Sequence, residues 1–385
     1  MMSMRCKSSQ RIWQCFRRLF FPIVLLCSIV YIIIKTSSYK KLNKLNSHND
    51  IYNKWSNLIK NEKILIPINV NQLYNYPVVC AGDNAIINYT DLVNDMWKIC
   101  QVNLTGYLSI ITKLPDDFIP NSHLQKYITE WKLPINKHDY EQCQFFYNET
   151  TAIIISYRDR EKNLRLLLYN LIPVIQRQKI GNYKIFIVEQ QSKGPFNKGR
   201  LYNIGFTHIM KTYKPTCVIF HDVDLIPEND QNLYSCGIPY KEKDQQKHYH
   251  YPIHMSAQVR SNVNNSYTSI YSFLVGGVLA IRPKTFRLLN GYSNKYFNWG
   301  GEDDDIGLRF LAKDFCVRRP NVGYYLMNSH GRQPSNKNRF KLLFDTVLRQ
   351  DDDGLNDIES LAMVIEENSY SLVTWITVKW LDKVQ

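Results

Sequence analysis

The chain has 385 residues and a formal net charge of +14, a bias that first suggests a nucleic-acid partner. Twelve of its Lys and Arg residues lie within residues 1–63, where the only acids are Asp50 and Glu62. The rest of the chain is therefore nearly neutral, and no basic surface for nucleic acid is expected.

The early positive charge surrounds an apolar run. Leu19 to Ile34, "LFFPIVLLCSIVYIII", carries no charged residue and is flanked by Arg17, Arg18 and Lys35. It is slightly shorter than the roughly 17 to 25 residues of a typical membrane span. A cleaved signal peptide would have the same apolar core. No small-x-small cleavage pattern follows, so the run reads as an uncleaved anchor. The basic residues before it put a tail of residues 1–18 in the cytosol. Four sequons, at Asn88, Asn103, Asn148 and Asn264, all follow the anchor and agree with a lumenal body. Residues 35–75, rich in Asn, Lys and Ser, read as a stem. Residues 76–385 are long enough for one large α/β domain or two smaller ones, with no internal repeat.

Cys80, Cys100, Cys143, Cys217, Cys236 and Cys316 fall in this lumenal part, where disulfides form. The chain has no C-x-x-C pair, so a structural zinc site is not expected. Spacing alone does not choose among the pairings.

From Thr151 the pattern alternates. "TAIIISY" reads as a strand, "EKNLRLLLYNLIPVIQRQ" as a helix and "YKIFIVEQ" as a second strand. "FNKGRLYNIGFTHIMKTY" reads as a second helix, and "TCVIFHDVDLIP" as a third strand stopped by Pro227. This order predicts a parallel sheet whose ligand lies at the carboxyl ends of the strands. Arg158 and Arg160 follow the first strand, where guanidiniums suit a uracil, ribose or phosphate. Asp222 and Asp224 end the third and suit a divalent cation and a nucleotide. A polar strand end would look the same.

"FNWGGEDDDIGLRF" (297–310) sets four acids at the start of an apparent helix. The helix dipole favours one or two carboxylates there, but four repel one another. Gly300 and Gly301 admit close backbone approach, and Trp299 offers a flat face for a sugar. A crowded carboxylate could serve as proton acceptor. Met327 and His330 are three residues apart and could meet one metal ion, although such a pair is commonly packing.

Together, "FHDVDLIPEND", "NWGGEDDDIGLRF", Met327-x-x-His330, "FNKGRLYNIGF" and "DDDGLNDI" resemble the β-1,4-galactosyltransferase family over about residues 76–385. The resemblance implies an α/β, GT-A type nucleotide-sugar-binding fold with a Rossmann-like, mainly parallel sheet, preceded by one transmembrane helix and a stem. It also implies a single-pass type II Golgi membrane enzyme that moves sugar from a UDP donor with inversion, using Mn2+. Asp224, Met327 and His330 match the metal ligands, and Asp303 the catalytic base. Trp299, Gly300, Gly301 and Glu302 match donor and acceptor contacts. Arg158, Arg160, Phe196, Lys198, Asp222 and Arg339 match nucleotide or donor contacts. Cys80 with Cys143, and Cys217 with Cys236, match the family's two disulfides, leaving Cys100 and Cys316 without an implied partner.

The chain also departs from the family. Ser156 replaces a usual Pro, Lys198 replaces an Arg, and the segment between His330 and Arg339 is short. Leu274 stands where vertebrate members carry a Tyr that crowds the donor's C2 side, and members with a smaller aliphatic residue there accept UDP-GalNAc. The reading is thus a GalNAc or Gal transferase acting on the 4-hydroxyl of terminal β-GlcNAc of glycoproteins or glycolipids. A strict galactosyltransferase is the first alternative. A non-catalytic, membrane-anchored sugar-binding protein is a remote one, and transfer to xylose is disfavoured by the intact motifs.

Overall fold

A computed structural model describes residues 86–87, 104–110, 149–179, 182–237, 251–261, 266–269, 274–329, 331, 333–370 and 373–382. The strands in chain order are β1 (Ile86–Ile87), β2 (Thr150–Tyr157), β3 (Asn182–Gln190), β4 (Cys217–His221), β5 (Leu225–Pro227), β6 (Ile253–His254) and β7 (Gln258–Ser261). They continue with β8 (Thr268–Ser269), β9 (Val278–Ile281), β10 (Arg319–Pro320), β11 (Tyr324–Met327), β12 (Ala362–Ser369) and β13 (Val373–Trp380). The helices are α1 (Glu161–Gln178), α2 (Lys198–Thr212), α3 (Pro283–Leu288), α4 (Glu302–Ala312), α5 (Arg339–Phe344), α6 (Thr346–Arg349) and α7 (Ile358–Leu361).

Seven strands form one sheet in the order β12-β13-β3-β2-β4-β9-β6. The expected strand and helix alternation from Thr151 is present. Ile153, Ile154 and Ile155 are β-branched and buried on both faces, as a central strand covered by helices requires. Ile153 and Ile155 pack with Leu164, Leu167, Leu168 and Leu171 of α1, a stripe at helical spacing. Each such fully buried side chain contributes roughly 1.5 to 3 kcal/mol of transfer free energy. Asn197 caps α2 by accepting from the Arg200 amide at 2.9 Å.

Two expectations need correction. The sheet is mixed rather than mainly parallel: β13, β3, β2 and β4 run parallel, while β12 at one edge and β9 and β6 at the other pair antiparallel. A short return from Ser369 to Val373 joins β12 to β13, whereas the chain passes through the second sheet between β4 and β9 and comes back antiparallel. The stretch "TCVIFHDVDLIP" is also two strands. β4 ends at His221, the chain turns through Asp222 to Asp224, and β5 enters a second sheet of order β5-β11-β7-β8. Pro227 is the last residue of β5, so the strand stops where expected, and on this edge strand its missing amide costs no ladder bond.

Cys217 and Cys236 are disulfide-bonded with Cα atoms 5.4 Å apart. The loop they close is worth about 3 kcal/mol in the chain-entropy view. Cys316 is disulfide-bonded as well. Cys80, Cys100, Cys143, the asparagines of all four sequons and the expected anchor lie outside the described residues. Among the described residues, no helix is long and apolar enough to cross a membrane.

Candidate active site

The centre is built on the amino ends of two helices and the carboxyl end of β4. Lys198 opens α2, and its Nζ lies 3.0 Å from both Asp303 oxygens, 3.1 Å from Glu302 Oε1 and 3.3 Å from Asp222. One cation thus joins three sequence motifs. Tyr202, one turn along α2, donates its hydroxyl to Asp222 Oδ1 at 3.0 Å. Asp222 also donates its amide to Gly277 O at 2.9 Å, which brings the start of β9 to the same place.

The four acids that open α4 divide their work. Gly300 and Gly301 take φ values of +103° and +105°, which side-chain-bearing residues rarely adopt, and they turn the chain into the helix. Glu302 and Asp303 face Lys198. Asp304 is buried. Asp305 points into the core, where it accepts from Arg309 Nε at 2.7 Å, Tyr296 Oη at 3.0 Å and Thr346 Oγ1 at 2.8 Å. Arg349 also bridges Asp305 and Asp353. The mutual repulsion expected of four acids is eased because Glu302 and Asp303 meet Lys198 while Asp305 turns away to Arg309 and Arg349.

Burial pushes the Asp303 carboxyl well above the usual carboxylate range, and the negative charges of Glu302 and Asp222 add to it against the pull of Lys198. Asp222 is raised by burial as well, with Asp224 adding to the effect. For Lys198, burial opposes the charge, but the three surrounding carboxylates outweigh it and hold the ammonium protonated. Asp305 goes the other way: Arg309 and Arg349 overcome its burial and hold it low. One acid of the run is therefore a stable anion and its near neighbour Asp303 a proton-seeking one. Glu302 Oε2 is buried with no hydrogen-bond partner among the described residues, as suits a group that meets a hydroxyl.

The expected metal ligands are brought partly together. β5 and β11 pair antiparallel with Met327 opposite Leu225, and the Asn328 amide donates to Asp224 O at 2.8 Å. Asp224, in the turn just before β5, therefore lies beside Met327 at the end of β11, and the Met327 side chain is exposed. The ladder, not helical spacing, positions Met327. His330 lies outside the described residues. Among the described residues, no group of three His, Cys, Asp or Glu side chains could hold a metal.

The other expected contacts line the same end of the sheet. Arg158 Nη1 donates to Gly194 O at 2.6 Å, and its guanidinium lies over the Phe196 ring at 5.4 Å. It borders a cavity of about 690 Å³ shared with Glu189, Gln190 and Thr377 at the ends of β3 and β13. Arg160 reaches Gly331 O at 3.3 Å. Arg339 lies 5.3 Å over the exposed ring of Trp299. Trp299 is further held by its amide to Pro334 O at 3.0 Å and by Asn336, whose amide reaches Trp299 O at 2.9 Å.

Lys198, matched to a nucleotide or donor contact, meets Asp222, a second such match, as well as Glu302 and Asp303. Sequence reasoning missed His254, Ser256 and Arg319, which hold the segment from Leu274 to Val278. No motif marks them, since a lone buried His has no spacing signal. It also missed Arg349, whose i, i+4 spacing to Asp353 of the "DDDGLNDI" segment was the available clue.

Two family models match this chain, one described as the N-terminal region of glycosyl transferase group 7, over residues 119–237, and one as the N-terminal domain of galactosyltransferase, over residues 257–331. The chain belongs to the β-1,4-galactosyltransferase family. It is 39% identical to beta-1,4-galactosyltransferase 4 of Cricetulus griseus over 62% of this chain and 65% of that one. It is 38% identical to beta-1,4-galactosyltransferase 3 of Homo sapiens over 54% of this chain and 50% of that one. The chain thus spans between half and two thirds of these relatives. The catalytic domain of Drosophila beta1,4-galactosyltransferase 7, solved with xylobiose, superposes at a TM-score of 0.49 with 23% identity, over 61% of this chain and 96% of that one. That likeness is too low to add to the assignment.

Proposed function

We propose that the chain is an inverting glycosyltransferase that moves GalNAc, or galactose, from a UDP-sugar to the 4-hydroxyl of terminal β-GlcNAc on glycoproteins or glycolipids. The observation that carries this reading is the convergence of Asp222, Glu302 and Asp303 on Lys198 within 3.3 Å. It joins the nucleotide end of the sheet to a proton acceptor. Asp303 takes the proton from the acceptor hydroxyl as that oxygen bonds to the donor's C1. The C1 bond to the UDP oxygen breaks on the opposite face, UDP departs, and the anomeric configuration inverts. Glu302 Oε2, which lacks a partner among the described residues, orients a sugar hydroxyl.

Asp224 in the turn before β5 and Met327 at the end of β11, with His330, would hold Mn2+. The carboxylate and imidazole suit that ion, and the thioether is the soft member of the set. When bound, the ion offsets charge on the diphosphate. Arg158, Arg160 and Phe196 bind the nucleotide, and Trp299 stacks on the acceptor, with Arg339 above it. Golgi residence, the type II anchor at 19–34 and glycosylation at the four sequons belong to the same proposal.

Leu274 supports GalNAc as donor, because a leucine lacks the hydroxyl and ring that would fill the space of an N-acetyl group. The printed names of the relatives favour a second reading, a strict galactosyltransferase. Assay of the protein with UDP-GalNAc and UDP-Gal on a GlcNAc acceptor separates the two. The first reading expects faster transfer from UDP-GalNAc, and Leu274→Tyr should shift the balance toward galactose. Equal or faster transfer from UDP-Gal by the unaltered protein would defeat it.

A further inference from the structure

The backbone that enters β9 beside Asp303 is held by three polar side chains outside the motifs. His254 is fully buried, and its Nε2 lies 2.6 Å from Gly276 O. Arg319 Nε donates to His254 Nδ1 at 3.2 Å, so Nδ1 is the bare nitrogen and Nε2 carries the hydrogen that goes to Gly276. Ser256 Oγ donates to Gly276 O at 3.0 Å and accepts from the Val278 amide at 3.0 Å. Arg319 Nη2 also donates to Leu274 O at 2.9 Å. Four hydrogen bonds from three side chains thus fix the five residues from Leu274 to Val278.

There is almost no slack where this segment meets the centre. A Cβ on Gly276 would lie 2.6 Å from Asp303 Cγ, and one on Gly277 would lie 2.6 Å from Ser256 Oγ. Asp303 therefore rests directly on the backbone that the cluster holds. A fully buried imidazole backed by a half-buried guanidinium is a costly way to satisfy two carbonyls that solvent or a strand neighbour could satisfy. With no exposed surface His254 cannot touch a donor, so any effect on the reaction passes through Gly276.

We infer that His254, Ser256 and Arg319 are positioning residues that set the placement of Leu274 and Gly276 against Asp303, and through it both donor choice and proton removal. This rests on the function proposed above. A displacement of about 1 Å at a reacting group can cost on the order of 100-fold in rate. The leucine that faces the donor moves with the same backbone.

The test compares His254→Phe, His254→Gln and Ser256→Ala with the unaltered protein. Hydrogen exchange is measured in the peptide spanning 274–278, and kinetics with UDP-GalNAc and UDP-Gal on GlcNAc. The inference expects His254→Phe and Ser256→Ala to exchange faster at that peptide and to lose on the order of 10- to 100-fold in kcat. The ratio of the two donors should change and the KM for GlcNAc should hold. His254→Gln, which can still donate to Gly276 and accept from Arg319, should stay near the unaltered protein in both respects. A lower melting temperature with unchanged local exchange and an unchanged donor ratio would overturn the inference and leave the cluster a fold element. If His254→Phe does not fold, Ser256→Ala, the loss of one oxygen, carries the comparison. If the unaltered protein transfers no sugar, the proposed function falls, and the exchange comparison alone upholds or overturns the positioning role.

Discussion

Lys198 and Asp303, 105 positions apart in sequence, meet with the ammonium 3.0 Å from both carboxylate oxygens. Removing the lysine leaves Asp222, Glu302 and Asp303 facing one another with no cation from α2. Breaking a buried pair on one side costs roughly 3 to 5 kcal/mol. Lys198 is 13% exposed, which favours the lower end. Lys198→Met should therefore lower unfolding free energy by about 3 kcal/mol in urea titrations, and Lys198→Arg should recover most of it by restoring the charge. A methionine variant as stable as the parent would show that the cluster tolerates three uncompensated carboxylates.

The second prediction concerns Asp305 and Arg349. Asp305, Arg309 and Asp353 are fully or almost fully buried, and Arg349 closes the network from α6. Arg349→Leu strands two buried carboxylates beside a single guanidinium, and the expected loss is about 3 kcal/mol or more. Lys313 and Asp351, a 2.9 Å pair with both side chains substantially exposed, give the contrast. Lys313→Ala should change stability by less than about 1 kcal/mol. Similar losses from the two substitutions would contradict the burial argument.

The division between these two networks bounds what could be read from the sequence. The alternation of "TAIIISY" and "YKIFIVEQ" with their helices depends on local apolar spacing, and the observed elements follow it closely. The antiparallel edges and the break at Asp222 depend on pairing with distant strands, which leaves no periodic trace. Within "EDDD", local physics showed that four acids in one turn need partners. Which acid meets Lys198 and which meets Arg309 is set by the glycine turn at 300 and 301 and by chain segments far away. His254 gave no signal, since one buried histidine among apolar residues reads as packing.

The third prediction uses that histidine. Burial, with Arg319 alongside, pushes the His254 imidazole down to about 3 from its ordinary 6.5. The folded value lies below the unfolded one, so stability is full above the unfolded value and lost as pH falls through the window between them. Each pH unit in that window costs about 1.4 kcal/mol per proton, so acidification from about pH 6.5 to about pH 5 should weaken the fold by about 2 kcal/mol through this group. His254→Gln lacks this titration, and its stability should fall less steeply over the same range. Parallel pH profiles for the two proteins would place the acid sensitivity elsewhere.

The central claim is that Asp303 removes the acceptor's proton in an inverting transfer. The most direct measurement follows UDP release and the anomeric configuration of the product, with UDP-GalNAc and a GlcNAc acceptor in Mn2+, for the unaltered protein and Asp303→Asn. The account predicts a β-linked product from the unaltered protein and a loss on the order of 100-fold or more in Asp303→Asn, with UDP binding retained. An α-linked product, or an asparagine variant that turns over within a few fold of the parent, would contradict it.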